Sequence, residues 1–189
     1  MIQRAQPTVR DVAGKRAFAC FPAAVSVYLI DAAQRILLLA HPERKGAWEV
    51  INGAMEAGET VLDAACRETR EEAGADVLMR PIAVFHAESF AYDASVPLML
   101  SLCVVAAYAG GAIVPGDDMA GSEARWWRLA ELAAPAVRVI VPPDGKDLIR
   151  RAIAAAALWA DDDTPLQGPL GDPRRHKYRL QADGGASPR

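Results

Sequence analysis

Cysteine is scarce in this chain of 189 residues: Cys20, Cys66 and Cys103 are the only three, and none forms a CxxC pair. An odd number of scattered thiols excludes a disulfide framework and a cysteine-based zinc site, so buried free thiols are expected. Long hydrophobic runs are also missing. The apolar share is 52%, much of it alanine, yet no stretch approaches the roughly 18 consecutive apolar residues of a membrane-spanning helix. The first residues, MIQRAQPTVRDVAGKR, lack the apolar core of a signal peptide, which points to a cytoplasmic protein. Neither sign of charge dominates, with 21 Lys and Arg against 24 Asp and Glu, a net charge of −3. That balance offers no long-range attraction for phosphate polymers or anionic lipid, so neither a nucleic-acid polymer nor a membrane is expected as a main partner. There are no internal repeats.

The length suits one domain with a substantial core. Residues 1–16 are polar and read as an irregular N-terminal extension, residues 17–160 as the domain, and residues 161–189 as a tail dominated by Pro, Gly and charge. The tail is expected to be disordered or to order against a partner subunit, in a homodimer; Arg174, Arg175, His176, Lys177 and Arg179 form a basic cluster within it. Inside the domain, Val25, Val27 and Leu29 alternate along a strand, and Asp31 to Gln34 reads as a hairpin turn into a second strand, residues 35–40. A charged loop, HPERKG, leads to a short strand at residues 48–51. Further strands are expected at 77–88, broken near Pro81, at 96–108, apolar enough to be buried on both faces, and at 123–129. Residues 109–122 read as a mobile loop, and the alanine-rich stretch 144–160 as a helix.

The most informative stretch runs from Gly53 to Ala75, GAMEAGETVLDAACRETREEAGA. Thr60 followed three residues later by Asp63 is a capping-box variant that starts a helix, and Gly74 can end it in the left-handed conformation. At about 100° per residue, Glu68, Glu71 and Glu72 share an arc of roughly 100°, while Leu62, Cys66, Thr69 and Ala73 lie opposite, on the packing side. Like charges at these spacings repel, which suggests a cation between them. Carboxylate oxygens favour Mg2+ or Mn2+, commonly shared with substrate phosphates and water, and so suggest phosphate chemistry. Arg67 can pair with Glu71 one turn on or reach back to Glu59, orienting the acids. A glutamate run on a helix can equally be a solvated face.

Gly53, Glu59, Arg67, Glu68, Glu71, Glu72 and Gly74 fill all seven fixed positions of a pattern G-x5-E-x7-R-E-U-x-E-E-x-G-U, in which U is a bulky aliphatic residue. The stretch thus resembles the Nudix box. Its two U positions hold Thr69 and Ala75, smaller than the pattern prefers, and Trp48 and Glu123-Ala-Arg-Trp-Trp127 also resemble family features. The resemblance implies an α/β fold, the α/β/α Nudix sandwich with a mixed β-sheet between helices. It also implies Mg2+-dependent (or Mn2+-dependent) hydrolysis of a nucleoside diphosphate linked to a further group, a small-molecule nucleotide-type substrate. Glu59, Arg67, Glu68, Glu71 and Glu72 would form the catalytic machinery, with the metal on Glu68, Glu71, Glu72 and the Gly53 carbonyl. A box glutamate, Asp118 or Glu123 would be the base. Arg44 and Lys45 stand where they could meet phosphates, although a solvated loop is as good a reading. Tyr92 resembles the tyrosine marker of the diadenosine polyphosphate subgroup, or is an ordinary tyrosine. Arg44, Tyr92 and Glu123 are the substrate-binding candidates. The alternative to an enzyme is a Nudix-fold module that binds ligands without cleaving them, for which a box glutamate would be expected to be missing.

Overall fold

A computed structural model of the protein describes residues 7–141 and 145–159. The basic cluster and the tail expected at 161–189 lie outside the described residues. Strands β1 (Thr8–Arg10) and β2 (Ala17–Ala19) pair antiparallel as a sheet of their own, exposed throughout. The described part of the expected extension is therefore one arm of a hairpin that crosses the expected boundary at residue 17. Asp11 makes the turn, its Oδ1 accepting the Arg16 N–H at 3.0 Å, and Gly14 supplies a φ of +66°.

The main sheet is mixed. Strands β3 (Ala23–Ile30), β4 (Ile36–Ala40), β5 (Ala47–Glu49), β6 (Ile51–Ala54), β7 (Leu78–Phe90), β8 (Met99–Gly110), β9 (Ala124–Trp127) and β10 (Arg138–Val141) follow in chain order. Across the sheet the order is β10-β5-β4-β3-β8-β7, with β6 on β3 and β9 on β4. The β3–β4 turn is built by Asp31, whose Oδ1 accepts the N–H groups of Ala33 and Arg35 while Gln34 takes a φ of +58°. Parallel pairing of β3 with β8 buries Cys103 to Ala106 on both faces. The register of β7 shifts at Pro81, which has no N–H to give the ladder, and also at Leu78 and near Val84.

Helices α1 (Val61–Glu68), α2 (Leu129–Leu132) and α3 (Gly145–Leu158) complete the fold. On one face Tyr28, Ile36, Leu38, Val50, Cys103, Val105 and Trp127 pack with Leu132 of α2 and with Leu148, Ile149 and Ala152 of α3. On the other, Val27, Leu29, Leu37, Leu39, Ile51 and Val104 pack with Ala65 and Ala73. The sheet is thus sandwiched between helices, the expected α/β/α arrangement. No helix among the described residues is long and apolar enough to cross a membrane.

Three local features depart from expectation. The acidic helix is α-helical only to Glu68, and residues Thr69–Ala73 form a π turn. Thr69 sits at the change, fully buried, its hydroxyl donating to the Ala65 carbonyl at 2.7 Å, a back-bond that competes with regular helix geometry. Residues 111–119 are stitched to that turn: the N–H groups of Val114 and Gly116 donate to the carbonyls of Ala73 (2.8 Å) and Glu72 (3.2 Å), and Asp117–Met119 coil into a 3-10 turn. The stretch expected as a mobile loop therefore caps the π turn, satisfying carbonyls left open at a helix end. Finally, Gly74 ends the turn at φ +140°, ψ +139°, an extended region open only to glycine, rather than in the left-handed helical one.

A Cβ on Gly74 would stand 2.7 Å from the Ala112 carbonyl oxygen. Gly74→Ala should therefore destabilise the protein by about 2 to 3 kcal/mol, the cost of one forced backbone conformation plus displacement of the 111–119 segment. Urea unfolding followed by circular dichroism measures it; a change below about 0.5 kcal/mol, the level of a neutral surface substitution, would contradict the close approach.

Candidate active site

The capping box forms as the sequence suggests. Thr60 Oγ1 accepts the Asp63 N–H at 3.2 Å and Asp63 Oδ2 accepts the Thr60 N–H at 3.0 Å, fixing where α1 begins. Two turns later the guanidinium of Arg67 gathers three carboxylates. Its Nε and Nη2 donate to the two oxygens of Glu59 at 2.7 and 3.1 Å, and Nη1 donates to Glu68 Oε1 and Glu71 Oε2, both at 2.8 Å. Nη2 also donates to the Ala54 carbonyl at 2.9 Å, tying the group to the end of β6. The fork on Glu59 is bidentate, a geometry that a lysine ammonium cannot reproduce.

Glu72 is held apart from this clamp. Its Oε2 accepts the backbone N–H of Asn52 at 3.0 Å, and its side chain is turned inward, leaving the residue 5% exposed. Glu68 is buried too, at 7%, and a Cβ built on Gly53 would fall within the Glu68 carboxylate. Glycine at 53 thus leaves free the space that the acid occupies against the sheet. Only Glu71 of the three helix acids remains substantially open to solvent. The acidic side, expected to lie opposite the packing side, is for two of its three members an inward face against β6. Of the residues expected opposite, Thr69 and Ala73 are fully buried, whereas Leu62 and Cys66 are half-buried. Ala75, the second small residue of the pattern, is exposed and has no core site to fill.

Electrostatics follow burial. Desolvation pushes the Glu72 carboxyl up to about 8, helped by the neighbouring charges of Asp118, Glu68 and Glu49. Burial likewise raises Glu68 despite its bond to Arg67. Glu59, by contrast, is held below its ordinary value by its hydrogen bond to Arg67, and the Arg67 guanidinium is held well above its own by Glu59. Among the described residues no three acids, histidines or cysteines converge tightly enough to make a closed metal cage. The donor set nevertheless fits a hard divalent cation: it is all oxygen, and its buried acids repel one another. A cation that shares its shell with phosphate and water needs only one or two protein carboxylates.

The remaining candidates lie apart from the clamp. Arg44 is exposed in the 41–46 loop, Tyr92 is 66% exposed beyond the end of β7, and Glu123 is exposed just before β9, its carbonyl accepting the Ala40 N–H. No bond among the described residues joins these side chains to the acids. Asp118, on the 3-10 turn, lies close enough for its charge to raise Glu49, Glu68 and Glu72. Asn52 and Glu49 were not evident in the sequence. A charged residue in a strand, flanked by Trp48 and Val50, is the signal that could have found Glu49.

A mixed sheet between helices, carrying an arginine-clamped glutamate cluster on one face, defines a Nudix-type domain. The family model for the NUDIX domain matches residues 21–147, and the chain belongs to that family. Among its curated relatives, a protein of Vibrio atlanticus named NAD-capped RNA hydrolase NudC is 36% identical over 99 residues, covering 52% of this chain and 34% of the relative. The protein of the same name from Stutzerimonas stutzeri is 31% identical over 132 residues, covering 65% and 45%. The chain therefore spans less than half the length of either. In fold it is similar to an ADP-ribose pyrophosphatase from Streptococcus suis, with a TM-score of 0.58 and 14% identity over 72% of this chain and 92% of that one. A NUDIX hydrolase from Nitrosomonas europaea gives 0.54 and 19% over 78% and 94%.

Raised carboxyls make stability depend on pH. Between the ordinary glutamate value of 4.5 and about 8, folded Glu72 binds a proton that the unfolded chain has released, so stability is lost as pH rises through that window. Glu49 and Glu68 act in the same sense, and the opposite effect of Glu59 is complete below that window. In EDTA, the thermal midpoint should fall between about pH 5 and about pH 8.5, and Glu72→Gln should flatten the fall. A Glu72→Gln protein with the wild-type slope would contradict the assignment.

Proposed function

We propose that this protein hydrolyses the pyrophosphate bond of a nucleoside diphosphate linked to a second group, using a divalent cation, Mg2+ or Mn2+. Glu68, Glu71, Glu72 and the Gly53 carbonyl would hold the cation. The supporting observation is Glu72, a carboxylate buried beside other acids, left outside the Arg67 clamp and held by a single backbone N–H. A buried acid in that setting is stable as an anion only with a cation beside it, and cation binding at neutral pH would release its proton.

The residues divide the task. Arg67 fixes Glu59, Glu68 and Glu71 in one arrangement, so the acids need not reorganise when substrate arrives. Asn52 holds Glu72 in line with them, and Gly53 leaves room for Glu68 against the strand. Asp118, whose charge acts on Glu49, Glu68 and Glu72, would accept a proton, and Arg44, from the 41–46 loop, would meet a phosphate. The cation, when bound, neutralises the pyrophosphate and lowers the pKa of the attacking water. None of the box acids is missing, which favours an enzyme over a binding module that has lost its chemistry.

The test is a panel of dNTPs, nucleotide sugars, ADP-ribose, dinucleoside polyphosphates and NAD-capped RNA, assayed for hydrolysis with Mg2+ or Mn2+ and with EDTA; the curated relatives' names place the last in it. With the best substrate, Glu72→Gln should fold normally and lose at least about 100-fold in turnover. Full activity in a correctly folded Glu72→Gln protein, or turnover unchanged by EDTA, would overturn the proposal.

A further inference from the structure

Glu49 lies in β5, where alternation sends Trp48 to the α3 side, against Trp127 at 4.9 Å, and Glu49 to the opposite, acid-bearing side. The residue is 6% exposed. An ionised carboxylate has about four acceptor positions to fill, and burial without filling them is costly. Glu49 is poorly supplied. Its contacts are Asn52 Nδ2 at 3.5 Å from Oε2, the outer limit of a hydrogen bond, and His41 Nε2 at 3.9 Å from Oε1, beyond it. The imidazole cannot easily swing closer, because its Nδ1 accepts the Glu43 N–H at 3.1 Å. Asn52 meanwhile connects the two buried acids, with its side chain next to Glu49 and its backbone N–H on Glu72.

A structural carboxylate in a strand would be expected to complete a close salt bridge or a network of short bonds. Glu49 has only the long 3.9 Å approach of His41, with the charge of Arg44 more distant still, while the charges of Asp118 and Glu72 oppose its own. Its open acceptor positions therefore suit donors that arrive with a ligand, and the positive field of a bound cation would offset the repulsion. We infer that Glu49 is an outer carboxylate of the cation site, accepting hydrogen bonds from the cation's bound water on the strand side, opposite the helix acids. The inference rests on the cation-binding part of the reading above and assigns Glu49 a positioning role that the box pattern does not contain. Outer-sphere partners of this kind typically contribute 10- to 100-fold to metal affinity.

The experiment counts bound Mn2+ by electron paramagnetic resonance in wild type, Glu49→Gln and Glu43→Gln, and needs no substrate. Glu49→Gln should weaken Mn2+ binding by about tenfold or more while raising the thermal midpoint of the cation-free protein, because an isosteric amide relieves a buried charge. Glu43→Gln removes the same charge from the exposed neighbouring loop and should leave binding unchanged. Wild-type Mn2+ affinity in Glu49→Gln, or an equal loss in Glu43→Gln, would overturn the inference. Should Glu49→Gln fail to fold, the wild-type protein carrying 13C-labelled glutamate decides. Substoichiometric Mn2+ should broaden the Glu49 carboxyl signal along with that of Glu72, and a sharp Glu49 signal beside a broadened Glu72 would overturn it. If no member of the substrate panel is hydrolysed but Mn2+ binding depends on Glu49, the catalytic reading fails and this one stands.

Discussion

One guanidinium holds the site together. Arg67 distributes its donors over Glu59, Glu68, Glu71 and the Ala54 carbonyl, so a single side chain links the loop before α1, two positions of the helical stretch, and the end of β6. Three carboxylates within one short segment would otherwise repel one another and drift toward solvent. Arginine suits the position because its fork is planar and permanently charged. The other elements serve this arrangement: the Thr60 and Asp63 cap sets where the helix starts, and hence which way Arg67 points, and Gly53 lets Glu68 approach the strand.

The clamp leaves the site incomplete. Glu72 and Glu49 are buried without a cationic side chain bonded to them, and desolvation raises the carboxyls of both. Such acids lower the stability of the ligand-free protein at neutral pH and are kept in place by the surrounding backbone: the Asn52 N–H on one side and, on the other, the 111–119 segment bonded to the carbonyls of Glu72 and Ala73. The π turn belongs to this design. It sets Thr69 and Ala73 into the core while turning Glu72 toward β6, an orientation that a regular helix face open to solvent would not give.

Much of this was legible in the sequence because fixed spacings encode it. The box offsets gave the helix, its cap, and the pairing of Arg67 with Glu59 and Glu71. Alternation gave β3, and the double Trp gave β9. What escaped notice depends on long-range packing. The π turn follows from the Thr69 hydroxyl bonding Ala65, which residue identity alone does not predict. Strand β10 is four residues long and finds its place only by pairing with β5, 91 positions earlier at Arg138 and Ala47. Residues 109–122, rich in Gly and Asp, read as loose because their partners, the Glu72 and Ala73 carbonyls, lie some forty positions earlier. Glu49 looked like any strand charge until the sheet placed it on the acid side.

The central claim, that Arg67 organises the acids for a cation rather than touching substrate, is tested most directly by the metal dependence of Arg67→Lys. With a substrate from the panel, Mg2+ is titrated at saturating substrate and substrate at saturating Mg2+. Loss of the fork should raise the Mg2+ concentration for half-maximal activity by about tenfold or more and leave KM for substrate near its wild-type value. An Arg67→Lys enzyme with wild-type metal dependence and a raised KM would contradict the account, placing Arg67 on the substrate instead.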